Sequence, residues 1–267
     1  MSVYDTMAPD FDRRRALPDG VPETIRATIL GAMGTDRPAI LDLGAGAGRI
    51  GRCFVRAGDD YFGADLSFGM LRTFANRVAV ACLVQADGAC LPFADATFDA
   101  VLLVQVLSGA HGWRPLLTDS MRVLRLGGAL IAGRVVAPDD GIDVRMKARL
   151  AVILDGMDVH PYRDKPRDDA LSWLVRTMPD RVVSTVAAWT AERTPAAFLE
   201  RHGSGARFSV LDPTVKQEAM RQLAEWAVGQ FGSLDARFAE HYGFQLTIHR
   251  SQQGIPPEWP MPCKTRC

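Results

Sequence analysis

The chain has 267 residues, 48% of them hydrophobic and 23% charged, with 31 basic and 31 acidic side chains. That length suits one large domain, or one core with an embedded addition, and can bury a sizeable interior. Zero net charge excludes the basic excess of a nucleic-acid binder, and no apolar run reaches the roughly 20 residues of a membrane helix. Arg13-Arg14-Arg15 is read as a solvated turn. The opening Met1-Ser2-Val3-Tyr4-Asp5 lacks a secretion pattern. The five cysteines form no C-x-x-C pair, which predicts thiols in a reducing cytoplasm, with a weak disulfide or metal role open at Cys263 and Cys267.

In chain order, residues 1–19 are irregular. A helix is expected from Val21 to Met33, with Pro22 in its first turn and Gly34 after its end. Strand one follows at Ala39–Leu43, a helix at Arg49–Ala57 and strand two at Tyr61–Asp65. Ser67 is the expected N-cap of a helix reaching Asn76. Strand three is placed at Val80–Ala86 and strand four at Phe98–Val106, almost wholly apolar and so buried on both faces. A helix from Pro115 to Leu124 ends before Gly127-Gly128, which turn the chain into strand five, Ala129–Val136. This alternation with short connections defines a parallel sheet with helices on both sides.

Beyond Pro138 the rhythm breaks. Helices are expected near 144–154, 170–178, 195–201 and 213–231, the last with Asp212 as N-cap and Gly232 past its end. Late strands fall at 182–189 and 244–250. The predicted division is 1–34 as an N-terminal segment and helix closing a ligand site, 35–138 as the core, 139–253 as sheet completion with a helical cap, and 254–267 as a Pro-rich tail.

The most informative stretch is Ala39-Ile40-Leu41-Asp42-Leu43-Gly44-Ala45-Gly46-Ala47-Gly48-Arg49-Ile50-Gly51. An apolar strand enters a glycine turn, and a helix start then offers unpaired N–H groups and partial positive charge. That arrangement cradles the polar end of a nucleotide-like ligand. Gly46-x-Gly48-x-x-Gly51 satisfies a dinucleotide fingerprint, and Asp65 lies about twenty residues on, where that fingerprint wants a ribose acid. Asp42 favours another ligand, because a carboxylate is unwelcome beside a pyrophosphate and suits an ammonium and a sulfonium. Asp87-Gly88, leading to Leu91-Pro92-Phe93, offers an acceptor for an exocyclic adenine amine.

These residues resemble a class I S-adenosylmethionine-dependent methyltransferase of the small-molecule type, the ubiquinone/menaquinone group. The resemblance is carried by Leu41 to Gly48, Gly63-Ala64-Asp65-Leu66-Ser67 with Met70-Leu71, Asp87 with Leu91-Pro92-Phe93, Phe98-Asp99-Ala100-Val101, and Arg122-Val123-Leu124 with Gly127-Gly128, in family order and spacing. It covers residues 35–136 closely and is loose beyond 137. It implies a doubly wound, mostly parallel seven-stranded α/β sheet, Rossmann-like, with a helical cap, and methyl transfer from S-adenosylmethionine, leaving S-adenosylhomocysteine, to an O, N, C or S atom of a small molecule.

The same resemblance implies roles residue by residue. Gly44, Ala45 and Gly46 approach the methionine part. Asp65 accepts from the ribose hydroxyls, Leu66 and Met70 pack on adenine, and Asp87 with Gly88 and Ala89 reads the adenine edge. Gln105 and Val106 line the floor near the sulfonium, and Tyr4 and Phe11 close the site. His111, in Ser108-Gly109-Ala110-His111-Gly112-Trp113, is a candidate base or acceptor-site residue, with a structural role equally open. His160 and Tyr162 are candidate substrate residues in a polar loop, and Trp113 a candidate apolar wall. Arg134 would pair with a substrate carboxylate or phosphate, or with Asp139. No metal ligands, nucleic acid or membrane span are expected. Two rival readings stand beside this one, a nicotinamide-dependent oxidoreductase and a methyltransferase-like protein without turnover.

Overall fold

A computed structural model describes residues 16–78, 81–107, 112–160, 166–203, 208 and 211–251. The first element, α1 (Val21–Ala32), carries Pro22 in its first turn and buries Val21, Ile25 and Ile29. The core then alternates β1 (Ile40–Leu43), α2 (Gly51–Ala57), β2 (Tyr61–Asp65), α3 (Phe68–Ala75), β3 (Cys82–Gln85), β4 (Phe98–Val104), α4 (Trp113–Val123) and β5 (Leu124–Val136). After it come α5 (Ile142–Gly156), α6 (Pro166–Thr177), β6 (Arg181–Arg193), α7 (Pro195–Gly203), α8 (Pro213–Phe231) and β7 (Phe238–Arg250).

The seven strands form one sheet in the order β3-β2-β1-β4-β5-β7-β6. β1 runs parallel to both β2 and β4, β2 parallel to β3, and β4 parallel to β5. The chain builds outward from β1 to β3, then returns to add β4 on the other side of β1. The order therefore reverses between β1 and β4, where open α/β sheets leave a crevice at the carboxyl ends of their strands. Both strands are apolar because both of their faces are covered: every residue of β1 is buried, and Phe98, Ala100, Val101 and Leu102 of β4 are fully shielded.

Two differences from the expected elements have local causes. β5 begins at Leu124 directly after α4, because Leu124 already pairs with Phe98, and the register shifts between Phe98 and Ala100. Gly127-Gly128 therefore lie inside the strand, Gly127 with φ +78°. β7 begins at Phe238, earlier than the apolar pattern indicates. Its early part carries Glu240, a buried carboxylate that accepts hydrogen bonds from the Ile142 N–H (2.6 Å) and the Tyr242 hydroxyl (2.7 Å). A polar residue here supplies the missing acceptor at the start of α5.

The chain divides into two compact units. The first comprises Met1–Arg134, Lys165–Ala187 and Phe244–Cys267, and the second Val135–Asp164 and Ala188–Gly243. In the first, Leu41, Leu43, Phe98, Val101, Leu117 and Leu130 share one core with Leu174 of α6. In the second, α5, α7 and α8 close around Met146, Leu150, Phe198, Ala219 and Leu223. Asp212 caps α8 by accepting from the N–H groups of Thr214 (2.8 Å) and Val215 (3.3 Å), and Gly232 ends it at φ +83°. No helix among the described residues is long and apolar enough to cross a membrane.

Candidate functional site

The glycine turn leaves β1 at the point where the strand order reverses. Gly44 and Gly48 adopt φ +78° and +80°, a region that side chains other than glycine occupy at a cost. A Cβ on Gly44 would stand 2.9 Å from the Val106 side chain, and one on Gly48 2.4 Å from the Phe74 ring. Beside Gly46 the nearest atom is 3.9 Å away, so the turn is packed behind and open at its middle.

Asp65 ends β2 beside this opening. One carboxylate oxygen accepts from the Gly46 N–H and the other from the Ser67 N–H, both at 2.8 Å. The carboxylate is thereby locked between the glycine turn and the start of α3, where Ser67 Oγ accepts from the Met70 N–H. Leu66 lies exposed next to it, while Met70 is buried against Ala47.

Asp42 lies behind the turn, 3% exposed, and accepts from the Tyr61 hydroxyl at 2.8 Å. Burial pushes its carboxyl up to about 6, against the lowering effect of that hydrogen bond, and the nearby Asp65 adds to the rise. Burial likewise drives the Tyr61 hydroxyl well above its usual range and the Cys53 thiol up to about 12. Cys53 is thus an inert, protonated filler of the core.

On the β3 side, Asp87 is exposed and accepts from the Ala89 N–H at 2.9 Å. A Cβ on Gly88 would come within 3.2 Å of Leu43 and Leu116, so this loop passes close over the core. Its far end is braced by Arg122, which donates to the carbonyls of Leu91 (3.0 Å) and Phe93 (2.7 Å), to Asp119 and to Asp95. Asp119 in turn accepts from the Leu91 N–H at 2.6 Å. Those carboxylates hold the Arg122 guanidinium above its usual range.

Gln105 follows β4 with φ +58°, a left-handed conformation rare outside glycine. Its side-chain oxygen accepts from Arg49 at 2.8 Å. Arg49 opens the segment after the glycine turn, so this bond spans the crevice between the ends of β1 and β4. Sequence reasoning missed both Arg49 and the bracing role of Arg122. A cation directly after the third glycine was the available signal for the first. The second had only a motif position.

The remaining candidates disperse. Trp113 is 9% exposed and packs in the core against Trp173, the place of a core side chain rather than an open wall. Arg134 on β5 donates twice to the Gln245 side-chain oxygen on β7, at 3.1 and 2.9 Å. His160, in the second unit, is flanked by Asp155 (3.0 Å) and Asp158 (3.2 Å). Tyr4, Phe11, His111 and Tyr162 lie outside the described residues. No group of three or more His, Cys, Asp or Glu residues that could hold a metal occurs among the described residues.

Residues 41–132 match the family described as methyltransferase domain. A demethylmenaquinone methyltransferase of Thermobifida fusca is 35% identical over 137 residues, covering 49% of this chain and 58% of that protein. One from Renibacterium salmoninarum is 30% identical over 142 residues, covering 52% and 60%. The chain thus spans little more than half the length of these relatives. Among solved structures, the YcgJ protein of Bacillus subtilis superposes with a TM-score of 0.55 at 18% identity, covering 85% of this chain and 98% of that one. A SAM-dependent methyltransferase from Thermotoga maritima gives 0.52 at 14% identity, covering 93% and 98%. Those two likenesses establish the fold. Residues 41–132 therefore match a methyltransferase domain, set on a sheet whose strand order is that of an open, mostly parallel α/β fold. The resemblance drawn from the sequence holds, as does the Rossmann-like, mostly parallel seven-stranded sheet.

Proposed function

We propose that this chain is an S-adenosylmethionine-dependent methyltransferase acting on a small-molecule acceptor. The observation that carries this is the placement of Asp65: a carboxylate fixed by two backbone N–H groups, beside a glycine turn that is open at Gly46, at the reversal of strand order. The bound cofactor supplies an electrophilic methyl group on a sulfonium. The protein's part is alignment and exclusion of water. Asp65 would hold the ribose hydroxyls, Leu66 and Met70 would flank adenine, and Asp87 with Gly88 and Ala89 would read its edge. The turn at Gly44, Ala45 and Gly46 would leave room for the methionine part, with Gln105 and Val106 beneath it. Asp42 would add negative charge from behind the turn, and Tyr4 and Phe11 would close the site.

The acceptor is read as a small molecule because net charge is zero and the relatives matched are named demethylmenaquinone methyltransferases. Quinone precursors are therefore the first acceptors to assay, with His111 as a candidate base and residues 139–253 as the part that selects the acceptor. A cytoplasmic site of action is inferred from the free thiols Cys53, Cys82 and Cys90. Calorimetry with S-adenosylmethionine, S-adenosylhomocysteine and NAD tests the cofactor, and binding of NAD alone would overturn the proposal. A screen of diverse acceptors that follows S-adenosylhomocysteine release tests the reaction. Binding without release in any arm would favour a protein that holds the cofactor without turnover.

A further inference from the structure

Two arginines of the second unit stand apart from the others. Arg145 and Arg149 lie one turn apart on α5, on the same helix face. The Arg145 guanidinium sits 4.7 Å from the centre of the Phe231 ring, and that of Arg149 6.0 Å from the Trp226 ring. Trp226 and Phe231 themselves meet edge to face at 5.8 Å. All four residues belong to the antiparallel contact of α5 with α8.

Among the described residues, neither guanidinium has a carboxylate or any other hydrogen-bond partner. Their neighbours differ: Arg201 pairs with Asp143 at 2.6 Å, and Arg221 with Glu218 and Glu225. Like charges at this helical spacing repel, and among the described residues no carboxylate pairs with either. The rings below attract each cation without offering an oxygen acceptor, so they hold the forks in place and leave their donors unspent. The Nε of Arg149 is buried without an acceptor, while the side chain as a whole is half-buried, so its two Nη groups are the donors left for a ligand.

We propose that Arg145 and Arg149 form an anion site for a phosphate ester or a diphosphate. One fork is enough for a carboxylate. Two forks one turn apart, with side-chain origins about 5–6 Å from each other, match a group that presents oxygens in several directions. Guanidinium is the head group suited to such recognition, because its planar fork loses little freedom per bond formed. The site needs no cofactor and does not rest on the methyltransferase reading.

The test uses the full chain titrated with sodium pyrophosphate, read by tryptophan fluorescence, with sodium chloride at matched ionic strength and sodium succinate as parallel arms. Pyrophosphate should give a saturable change, absent with chloride and weaker with succinate. Arg145→Gln and Arg149→Gln should each weaken binding roughly tenfold, as expected for loss of a charge-assisted contact, and the double variant should abolish it. The pair Arg145→Lys with Arg149→Lys keeps the charge and should bind more tightly than the Gln pair. Trp226→Phe should remove most of the signal. An equal response to chloride, tighter binding of succinate, or an unchanged response in the double Gln variant overturns the proposal.

Discussion

The Tyr61 hydroxyl donates to a carboxylate oxygen of Asp42 at 2.8 Å, and both side chains are buried directly behind the glycine turn. Tyr61 also stacks on Phe54 at 5.7 Å and meets Phe74 edge to face at 6.1 Å, so two rings hold it. The pair supports the turn from below and places one ionisable group under it.

That group sets a pH dependence. The folded-state value of Asp42 is raised from 3.8 to about 6, so the folded chain binds more protons than the unfolded one in that window. Stability at this residue is greatest below 3.8 and falls as pH rises through 6. The effect is on the order of 3 kcal/mol. Asp42→Asn should flatten the slope of urea stability against pH between those values. An unchanged slope would show that Asp42 does not titrate there.

His202 should act in the opposite sense. Burial lowers its folded value from 6.5 to about 4, and the ring stacks on Phe198 at 3.8 Å. Here the unfolded chain binds the extra proton, so stability is lost as pH falls from 6.5 towards 4. His202→Phe should remove that loss. Exchange of backbone amides in α5 and α8, followed against pH by mass spectrometry, reads this unit separately from the first.

Gly48→Ala should destabilise by about 3 kcal/mol. The new Cβ meets Phe74 at 2.4 Å and must also hold φ at +80°, and the two costs add to that order. Denaturant midpoints measure it. Gly46→Ala, by contrast, meets nothing closer than 3.9 Å. It should cost less in stability and more in S-adenosylhomocysteine affinity, since its methyl group would occupy the open middle of the turn.

Asp65→Ala should lower S-adenosylhomocysteine affinity more than tenfold in calorimetry. It should also cost about 1–3 kcal/mol of stability, because the Gly46 and Ser67 N–H groups lose their acceptor. A folded variant with unchanged affinity removes the ribose assignment. Asp87→Ala, exposed and bonded only to a turn amide of its own loop among the bonds described, should lose affinity with little change in stability.

The first part of the sheet was largely legible from sequence because its signals are local. The apolar run Ile40–Leu43 followed by glycines, and Ser67 before a helical pattern, each carry their meaning within a few residues. Contacts between distant residues were not legible in the same way. Arg49 meets Gln105 across 56 residues, which requires knowing that β1 and β4 are neighbours. Trp113, read as a wall, packs on Trp173 because α6 returns to the first unit. The early half of β7 was missed because Glu240 interrupts the apolar pattern, and its reason for being buried, the N–H of Ile142, lies 98 residues away.

The division of the chain has a consequence for the order in which it folds. β5, β6 and β7 each have residues in both units, and the second unit is assembled from two separate stretches. Joining Ile142 to Glu240 closes a long loop, and loop entropy opposes that step while the chain is open. Once the sheet has gathered β5, β6 and β7, most of that entropy has already been lost. The helical unit is therefore expected to mature late. Because the three strands are shared, a defect in any of them should disturb both units.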